Sequence, residues 1–516
     1  MILLIVYFLL ACLVWYYFFR SNPPRGLKKL PSPPGHRLYT GHFYQTRSDP
    51  HKRQENEFTE WAKSLGDIYS IHMGQQYWII LTSDKIAAEL LQKRGGKYSS
   101  RPPNYYFYQV MSRSKGYIGS SYNERYRKLT PIMHGILGQR SVKERSDLVD
   151  MESRMLMQNL YKASMNTKDG FYPKKYIQLA ALNIISLICV ARRIDSIEDP
   201  SYQYFENFLK SHLEFVKVTN RLGDFFPILR WFSGSKFYNR VIEQRNILES
   251  FYGNFVKEVK DDKEKKPCAI RDLLRKVDEG VLDEHDVIHL TDNIFSAGTD
   301  TISASLTWIV AALANNPEVQ SKAHQELDRV IGQSRLPNAS DEPNIPYICA
   351  IIKEGQRYCG PTYLGVPHYI EEDDEYNGYY IPANSVVLLN IYGIHMDEKR
   401  YENPKEFRPE RFLGLTERSA ILANGNYENR DHFSFGAGRR LCIGIHLAEL
   451  ELLLGISRLL WCFRIENASP LGKDGKPIPI NLDNARLGIT VWPEEYCVKL
   501  VKRHDNVEKV LFDLSQ

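Results

Sequence analysis

The sequence lacks several features that would assign it to a common class of protein. Its 516 residues carry a net charge of only +5, and the lysines and arginines are not gathered in one segment, which argues against a nucleic-acid-binding protein. The 8 cysteines are scattered, without a C-x-x-C pair or a cysteine–histidine spacing that binds zinc, and a disulfide framework is not expected in so long a chain. No internal repeat and no flavin- or nicotinamide-binding fingerprint is visible.

Long hydrophobic runs are also scarce, and the one that occurs is at the N-terminus. Residues 2–19, ILLIVYFLLACLVWYYFF, contain no charge, and this length is close to the minimum that spans a bilayer. A signal peptide is the alternative, but it would have a preceding positive charge and a small-residue cleavage site. Aromatic residues end the run and basic residues follow, which favours an uncleaved anchor with the bulk of the chain cytosolic. Residues 20–36, basic and proline-rich, predict a stiff linker, and residues 37–516 predict the main domain.

The main domain combines long helical stretches with short β segments. Gly66–Ser83 alternates in hydrophobicity around a turn and predicts a hairpin, and residues 376–391, YNGYYIPANSVVLLNI, predict a second small sheet. A long helix is expected from Asp283 to Asn315, because the pattern stops before Pro317. The sequence therefore predicts a mainly α protein with a minor β part.

The middle of this long helix, Phe295–Ser305 (FSAGTDTISAS), is unusually polar. Gly298 costs about 1 kcal/mol against alanine in a helix interior, and the hydroxyls of Thr299 and Thr301 can bond back to helix carbonyls and bend the axis. A kinked groove lined by hydroxyls beside Asp300 would suit the delivery of protons. The alternative is a polar contact between two helices.

Two further motifs are weak when each is taken alone. Glu354 and Arg357 are spaced i,i+3 and lie on one face of a helix. Arg411 lies at the centre of Asn403–Phe412, NPKEFRPERF, a loop bounded by prolines. Each of these features is common in structural roles.

The most specific motif is residues 433–450, FSFGAGRRLCIGIHLAEL. Cys442 follows Arg439 and Arg440 and precedes a predicted helix N-terminus. Both neighbourhoods stabilise a thiolate rather than a thiol, whereas a structural cysteine prefers apolar neighbours. We therefore expect Cys442 to be a functional thiolate.

In order and spacing, these motifs resemble those of the cytochromes P450. The resemblance covers about residues 30 to 505, and the predicted anchor and linker are similar to those of the eukaryotic microsomal branch. Residues 297–301 resemble the oxygen-activation motif, and Glu354, Arg357 and Arg411 resemble the ionic network that supports the cysteine loop. The family signature F-x-x-G-x-R-x-C-x-G is matched by Phe435, Gly438, Arg440, Cys442 and Gly444.

The resemblance implies haem b as the cofactor, with Cys442 as the axial ligand of the iron. Asp300 and Thr301 are implied as the catalytic pair that relays protons. The other implied cofactor-binding residues are Arg440, His368, Arg101, Phe435, Gly436 and Tyr126. The chain departs from the family where a Trp-x-x-x-Arg motif is usual, because Tyr126 and Thr130 stand there.

The implied function is that of a monooxygenase in secondary metabolism, inserting one oxygen atom into a lipophilic steroid, terpenoid or aromatic metabolite. Electrons would come from NADPH through a separate cytochrome P450 reductase, with cytochrome b5 as a possible second partner, at the endoplasmic reticulum membrane. One alternative is an isomerase or dehydratase of the same fold, and another is a non-catalytic haem sensor. The Asp300–Thr301 pair favours the monooxygenase.

Apolar segments suggest where a lipophilic substrate would enter and bind. The resemblance implies substrate contacts from the loop that holds the aromatic stretch Tyr105–Met111, YYFYQVM, and from the helix around Phe295, whose apolar side chains would line a binding cavity. Residues 223–232, GDFFPILRWF, are apolar enough to contact a membrane surface through Phe225, Phe226 and Trp231.

Overall fold

A computed structural model of the chain describes residue 7 and residues 23–47, 53–216, 222–232, 234–473, 475–486, 488 and 490–513. These residues belong to two compact units, Met1–Pro102 with Leu364–Gly393, and Pro103–Tyr363 with Ile394–Gln516. Among the residues so described, no helix is both long and apolar enough to cross a bilayer. The predicted anchor, residues 2–19, lies outside the described residues except for Tyr7, as do residues 20–22 of the predicted linker.

The smaller unit is built on a four-stranded sheet with the strand order β1-β2-β6-β3. The predicted hairpin is confirmed, because β1 and β2 pair antiparallel with Met73 opposite Gln76 across the turn. The strands are β1 (Ile68–Met73), β2 (Gln76–Leu81), β3 (His368–Ile370), β4 (Asp374–Tyr376), β5 (Tyr379–Ile381) and β6 (Ser385–Leu389). The helices are α1 (Gln54–Leu65), α2 (Asp84–Ala87) and α3 (Gly95–Tyr98), with shorter turns at Gln45–Arg47 and Ala88–Lys93.

The second predicted sheet is only partly correct. β4 and β5 form a two-stranded hairpin, but β6 leaves them and pairs parallel with β2, with Val386 opposite Trp78. Every residue of β6 is buried, so its continuous apolar run is that of an internal strand with neighbours on both edges.

The larger unit is mostly helical. Its helices are α4 (Glu124–Leu137), α5 (Gln139–Glu144), α6 (Ser146–Asn166), α7 (Lys174–Val190), α8 (Pro200–Val216), α9 (Leu222–Phe225), α10 (Leu229–Phe232), α11 (Gly234–Asp261), α12 (Ala269–Asp278), α13 (Glu284–Asn315), α14 (Pro317–Val330), α15 (Pro346–Cys359), α16 (Ile391–His395, which begins in the smaller unit), α17 (Ser419–Leu422), α18 (Ile445–Cys462) and α19 (Asn506–Phe512). Its strands are β7 (Phe463–Asn467), β8 (Ala485–Arg486), β9 (Trp492–Pro493) and β10 (Val498–Lys502), and shorter helical turns lie at Tyr105–Met111, Ala339–Asn344, Pro409–Phe412, Tyr427–Asn429 and Gly438–Arg440.

The long helix α13 organises the core of this unit. It begins with a capping box in which Asp283 accepts a hydrogen bond from the Asp286 amide and the Asp283 amide donates to the Asp286 carboxylate, which satisfies two of the free N–H groups at the start of the helix. Its C-terminal half is buried almost completely and packs with α6, α7, α14, α15 and α18 around Ile309 and Leu313. The predicted boundaries of this helix are confirmed.

The expected membrane contact through residues 223–232 is wrong for the two phenylalanines. Phe225 and Phe226 are 3% and 7% exposed, because this segment folds inward, where Gly223 meets the Tyr106 ring. Apolar side chains that are already buried in the protein have no area left for a lipid surface.

Candidate active site

The loop before α18 presents Cys442 at the N-terminus of a helix. The Cys442 amide donates to the Phe435 carbonyl at 2.9 Å, which closes the loop. Gly436 and Gly438 hold positive φ angles of 76° and 67°, a conformation that favours glycine. Gly444 is the N-cap of α18, as the sequence predicts.

The surroundings of the Cys442 thiol differ from the expectation that Arg439 and Arg440 stabilise a thiolate. Burial raises the pKa of this thiol, and only the Gly444 amide lowers it. The side chain of Arg439 instead donates to the Tyr122 hydroxyl, and that of Arg440 to the Ser120 carbonyl. The two arginines therefore do not supply the expected stabilisation of a thiolate, whereas coordination to a metal would deprotonate the thiol directly.

The Cys442 side chain opens into an internal hollow. It is exposed, yet it is deep enough for burial to raise its pKa, and both facts hold if the thiol faces an enclosed space rather than the outer surface. On α13, the Ala297 side chain is exposed and those of Asn293 and Thr301 are half-buried, although the residues around them are mostly buried. Their i,i+4,i+8 spacing places them on one face of the helix.

The polar centre of α13 behaves as predicted at only some positions. The Thr301 hydroxyl donates to the Ala297 carbonyl at 2.7 Å, which confirms the predicted back-bond. The buried Thr299 hydroxyl has no hydrogen-bond partner among the described residues, so its predicted back-bond is wrong. Gly298 serves packing, because a Cβ atom there would lie 2.5 Å from Cδ1 of Ile185 on α7.

Asp300 of α13 is 4% exposed. The Trp492 indole nitrogen donates to Asp300 Oδ1 at 3.2 Å. Burial raises the pKa of the carboxyl, while Thr490, Lys174 and Trp492 lower it. Sequence reasoning missed Trp492, because nothing in the sequence links two residues 192 positions apart.

Arg440 lies within a cluster of tyrosines. Its guanidinium carbon is 3.6 Å from the centroid of the Tyr126 ring, and burial lowers its pKa. Tyr117 stacks on Tyr126 and donates to the Tyr126 hydroxyl at 3.0 Å, and its own hydroxyl lies 3.3 Å from Thr130 Oγ1. Tyr117 was not predicted, but it joins both residues at which the chain departs from Trp-x-x-x-Arg.

The remaining predicted cofactor-binding residues lie in different places. Phe435 is half-buried and packs against Ala420 and Ile445. Arg101 and His368 belong to the smaller unit. There Arg101 donates to the Val366 and Pro367 carbonyls at 2.8 and 2.7 Å, and His368 Nδ1 lies 2.8 Å from the Tyr98 carbonyl.

The aromatic residues expected near a substrate take part in the core. Phe295 stacks on Phe255 with ring centroids 5.5 Å apart, and the Tyr106 ring contacts Phe237 at 4.8 Å. These contacts are those of side chains that fill an interior.

A buried ionic network supports the cysteine loop. The Glu354 carboxylate accepts from Arg357 Nε and Nη2, both at 2.7 Å, and from Arg411 Nε at 3.1 Å. Arg357 also donates to the His395 carbonyl at 2.8 Å, and His395 Nε2 accepts from the Phe433 amide at 2.8 Å. Phe433 begins the cysteine loop, so the network fixes the start of that loop.

The residues around the hollow fit a haem. A thiol that opens into an enclosed space is a soft ligand suited to iron, and a buried guanidinium two residues earlier suits a carboxylate such as a propionate. Ala297 on α13 has a small, exposed side chain, which suits contact with a flat apolar group.

Comparison with known proteins identifies the family. The family model described as Cytochrome P450 matches residues 31–489. The chain is 32% identical over 469 residues to cytochrome P450 monooxygenase virE of Hypocrea virens, covering 89% of this chain and 83% of that protein. It is 33% identical to cytochrome P450 monooxygenase atE of Aspergillus terreus, covering 90% of this chain and 86% of that protein.

Solved structures agree on the fold. A zebrafish cytochrome P450 determined with progesterone superposes with a TM-score of 0.74 at 22% identity, covering 87% of this chain and 100% of that chain. The sequence relatives are named monooxygenases, and cytochromes P450 bind haem through a cysteine thiolate. The chain belongs to the cytochrome P450 family and is an oxidoreductase, a cytochrome P450 monooxygenase.

Proposed function

We propose that the protein uses a haem held by Cys442 to insert one oxygen atom from dioxygen into a lipophilic small molecule, a steroid, terpenoid or aromatic metabolite. The observation that carries this proposal is the Cys442 thiol, which is exposed and yet lies deep enough for burial to raise its pKa. When bound, the haem would supply the activation of dioxygen, and thiolate donation favours O–O cleavage.

The residues of the chain hold the cofactor in this proposal. Cys442 would supply the thiolate that holds the iron, Phe435 would shield the sulfur from water, and Gly436 would let the backbone approach the cofactor closely. Arg440 supplies a positive charge for a propionate, and Tyr126, stacked under that guanidinium, adds a hydroxyl. The propionate contacts of Arg101 and His368 stay predictions.

Asp300 and Thr301 would relay protons to the dioxygen that the haem binds. Oδ2 of Asp300, which makes no hydrogen bond of normal geometry within the described part of the chain, is the atom that would take a proton from water and release it again. The Thr301 hydroxyl, on the open face of α13, hydrogen-bonds the water that carries the proton. General acid–base groups of this kind contribute about 10²- to 10⁴-fold to a reaction rate.

Electrons must come from a separate protein. The sequence contains no flavin- or nicotinamide-binding fingerprint, so we propose NADPH–cytochrome P450 reductase as the donor and cytochrome b5 as a second partner. The named relatives are fungal monooxygenases, and secondary metabolism is the role that we propose for this chain.

The experiment that tests this function uses membranes that contain the protein and a reductase. NADPH, isotopically labelled dioxygen and a panel of steroids, terpenoids and small aromatics are supplied, and products are read by mass spectrometry. A product with one labelled oxygen atom is expected. A product without label would support the isomerase or dehydratase alternative instead. The control omits the reductase, and no product is expected from it.

We propose that residues 2–19 anchor the protein to the endoplasmic reticulum membrane, that residues 20–36 act as a linker, and that residues 37–516 form the catalytic domain. The uncharged apolar run and its basic flank support this arrangement. Deletion of residues 2–19 is expected to move the protein from the membrane pellet to the supernatant after a carbonate wash. A pellet that keeps the deleted protein contradicts the proposal.

A further inference from the structure

The two oxygens of the Asp300 carboxylate have different surroundings. Trp492 Nε1 donates to Oδ1 at 3.2 Å, whereas Oδ2 is buried and makes no hydrogen bond of normal geometry to any residue that the structure describes. The Thr490 side chain also lies close enough to the carboxylate to lower its pKa. An unpaired polar atom in an interior is costly, and such atoms in native proteins often serve a function. The two oxygens of this carboxyl group are therefore not equivalent.

The segment that carries Trp492 is fixed to α13 and its surroundings at several points. The Trp308 indole donates to the Val491 carbonyl at 2.9 Å, and the Tyr496 hydroxyl donates to the Thr307 carbonyl at 2.5 Å. The Val491 amide donates to the Pro361 carbonyl at 2.8 Å. Because the segment is held by these bonds, the Trp492 indole N–H has a defined position relative to Asp300.

Lys174 completes the arrangement. It lies in the first turn of α7, half-buried, with its ammonium nitrogen 4.4 Å from the centroid of the Trp492 ring. A cation over the indole face is attracted by the ring and draws electron density from the N–H, which makes the indole a stronger donor. The other charged groups that face Lys174 are Glu206 and Lys210 on α8 and Arg486 on β8.

We infer that Trp492 is a positioning residue for Asp300, which holds Oδ1 so that Oδ2 alone exchanges the proton, and that Lys174 strengthens this hold. The inference rests on the proposed role of Asp300 in proton delivery. In each cycle Oδ2 accepts a proton from water and gives it up again, so Asp300 ends with the charge with which it began. The electrons of the reaction still come from NADPH through the reductase.

The test replaces the indole donor while it keeps an aromatic ring. Trp492→Phe removes the N–H and leaves a face for Lys174, and Lys174→Met removes only the charge. Trp461→Phe is the matched control, because Trp461 is also buried, at 0% exposed against 8% for Trp492, and donates one indole hydrogen bond to the Gly332 carbonyl at 2.7 Å.

The first readout is independent of turnover. The carboxyl stretch of Asp300 is followed by infrared difference spectroscopy of the resting ferric enzyme across pH and assigned by its loss in Asp300→Asn. Loss of a donor to the carboxylate disfavours the charged form, so the titration is expected to move to higher pH in Trp492→Phe and in Lys174→Met. It should not move in Trp461→Phe.

The second readout is steady-state turnover with a substrate from the panel. Trp492→Phe is expected to lower kcat about 10-fold, the equivalent of one hydrogen bond to a charged group, with KM changed less than about twofold. An unchanged carboxyl titration and kcat in Trp492→Phe, with turnover lost in Asp300→Asn, would overturn the inference and leave the proposed function intact. Turnover unaffected in Asp300→Asn would overturn the inference together with the proposed role of Asp300 in proton delivery, on which it rests. If Trp492→Phe does not fold, Lys174→Met decides by the same criteria.

Discussion

The buried network around Glu354 allows a prediction whose size can be worked out from its contacts. The carboxylate accepts two hydrogen bonds from Arg357 and one from Arg411, and the Arg408 amide donates a fourth at 2.8 Å. The side chains of Glu354 and Arg357 are both 0% exposed, and that of Arg411 is 7% exposed. Replacing Glu354 by Ala therefore leaves two buried guanidiniums without their carboxylate.

Removal of one partner from a buried ion pair costs about 3–5 kcal/mol of the free energy of unfolding. We expect Glu354→Ala to lose an amount in this range. The matched control is Arg408→Ala, which breaks the exposed pair of Arg408 with Glu402 and keeps the backbone bond to Glu354. An exposed pair contributes about 0–1 kcal/mol.

Urea unfolding of the haem-loaded enzyme measures both variants, with tryptophan fluorescence and the Soret absorbance as probes. The fluorescence midpoint should fall strongly only in Glu354→Ala, and the Soret band should be lost at the same or lower urea, because the network fixes Phe433 at the start of the cysteine loop through His395. A free energy of unfolding for Glu354→Ala within about 1 kcal/mol of that for Arg408→Ala would refute the assignment of the network as a support of the fold.

Three further predictions concern residues of the helices α13 and α18. Gly298→Ala places a Cβ atom 2.5 Å from Ile185 Cδ1 and should cost about 1–3 kcal/mol of the free energy of unfolding. In a urea titration, the additional change Ile185→Val should restore part of this loss. If the losses from the two changes simply add, the close approach of α13 to Ile185 is contradicted. Burial raises the pKa of Glu449 to about 7 from an ordinary 4.5. The folded protein therefore loses stability as the pH rises from about 4.5 to about 7, because the unfolded chain releases this proton first. Glu449→Gln should melt at a higher temperature than the wild type above this pH range but not below it. Thr301→Val should lower the product formed per NADPH consumed by about 10-fold or more, whereas Thr307→Val, which removes a buried hydroxyl bonded to the Ser303 carbonyl, should not; equal effects would place the loss in folding.

Features specified by local sequence were predicted correctly. The long helix α13 follows from the capping residue Asp283 and the stop before Pro317, and the hairpin of β1 and β2 needs only a short turn between alternating strands. The ionic network was also predicted, but only through resemblance to a family, since Glu354 and Arg411 are 57 positions apart and no local pattern joins them.

Features that depend on long-range packing were missed for a common reason. β6 joins β2 across about 300 residues, and the apolar run of β6 does not specify which strands it pairs with. The positions of the Arg439 and Arg440 side chains depend on Tyr122 and Ser120, so their nearness to Cys442 in sequence gave the wrong electrostatics. The burial of Phe225 and Phe226 could not be distinguished from membrane contact, because both environments select apolar side chains.

The central claim is that Cys442 ligates the haem iron as a thiolate, and the absorbance spectrum of the reduced protein with carbon monoxide tests it most directly. The wild type and Cys497→Ser, which replaces another exposed cysteine, should both show the strongly red-shifted Soret band of thiolate ligation. Cys442→Ser should lose that band even where haem is retained. A red-shifted band that persists in Cys442→Ser, or that disappears in Cys497→Ser, would contradict the assignment of the ligand.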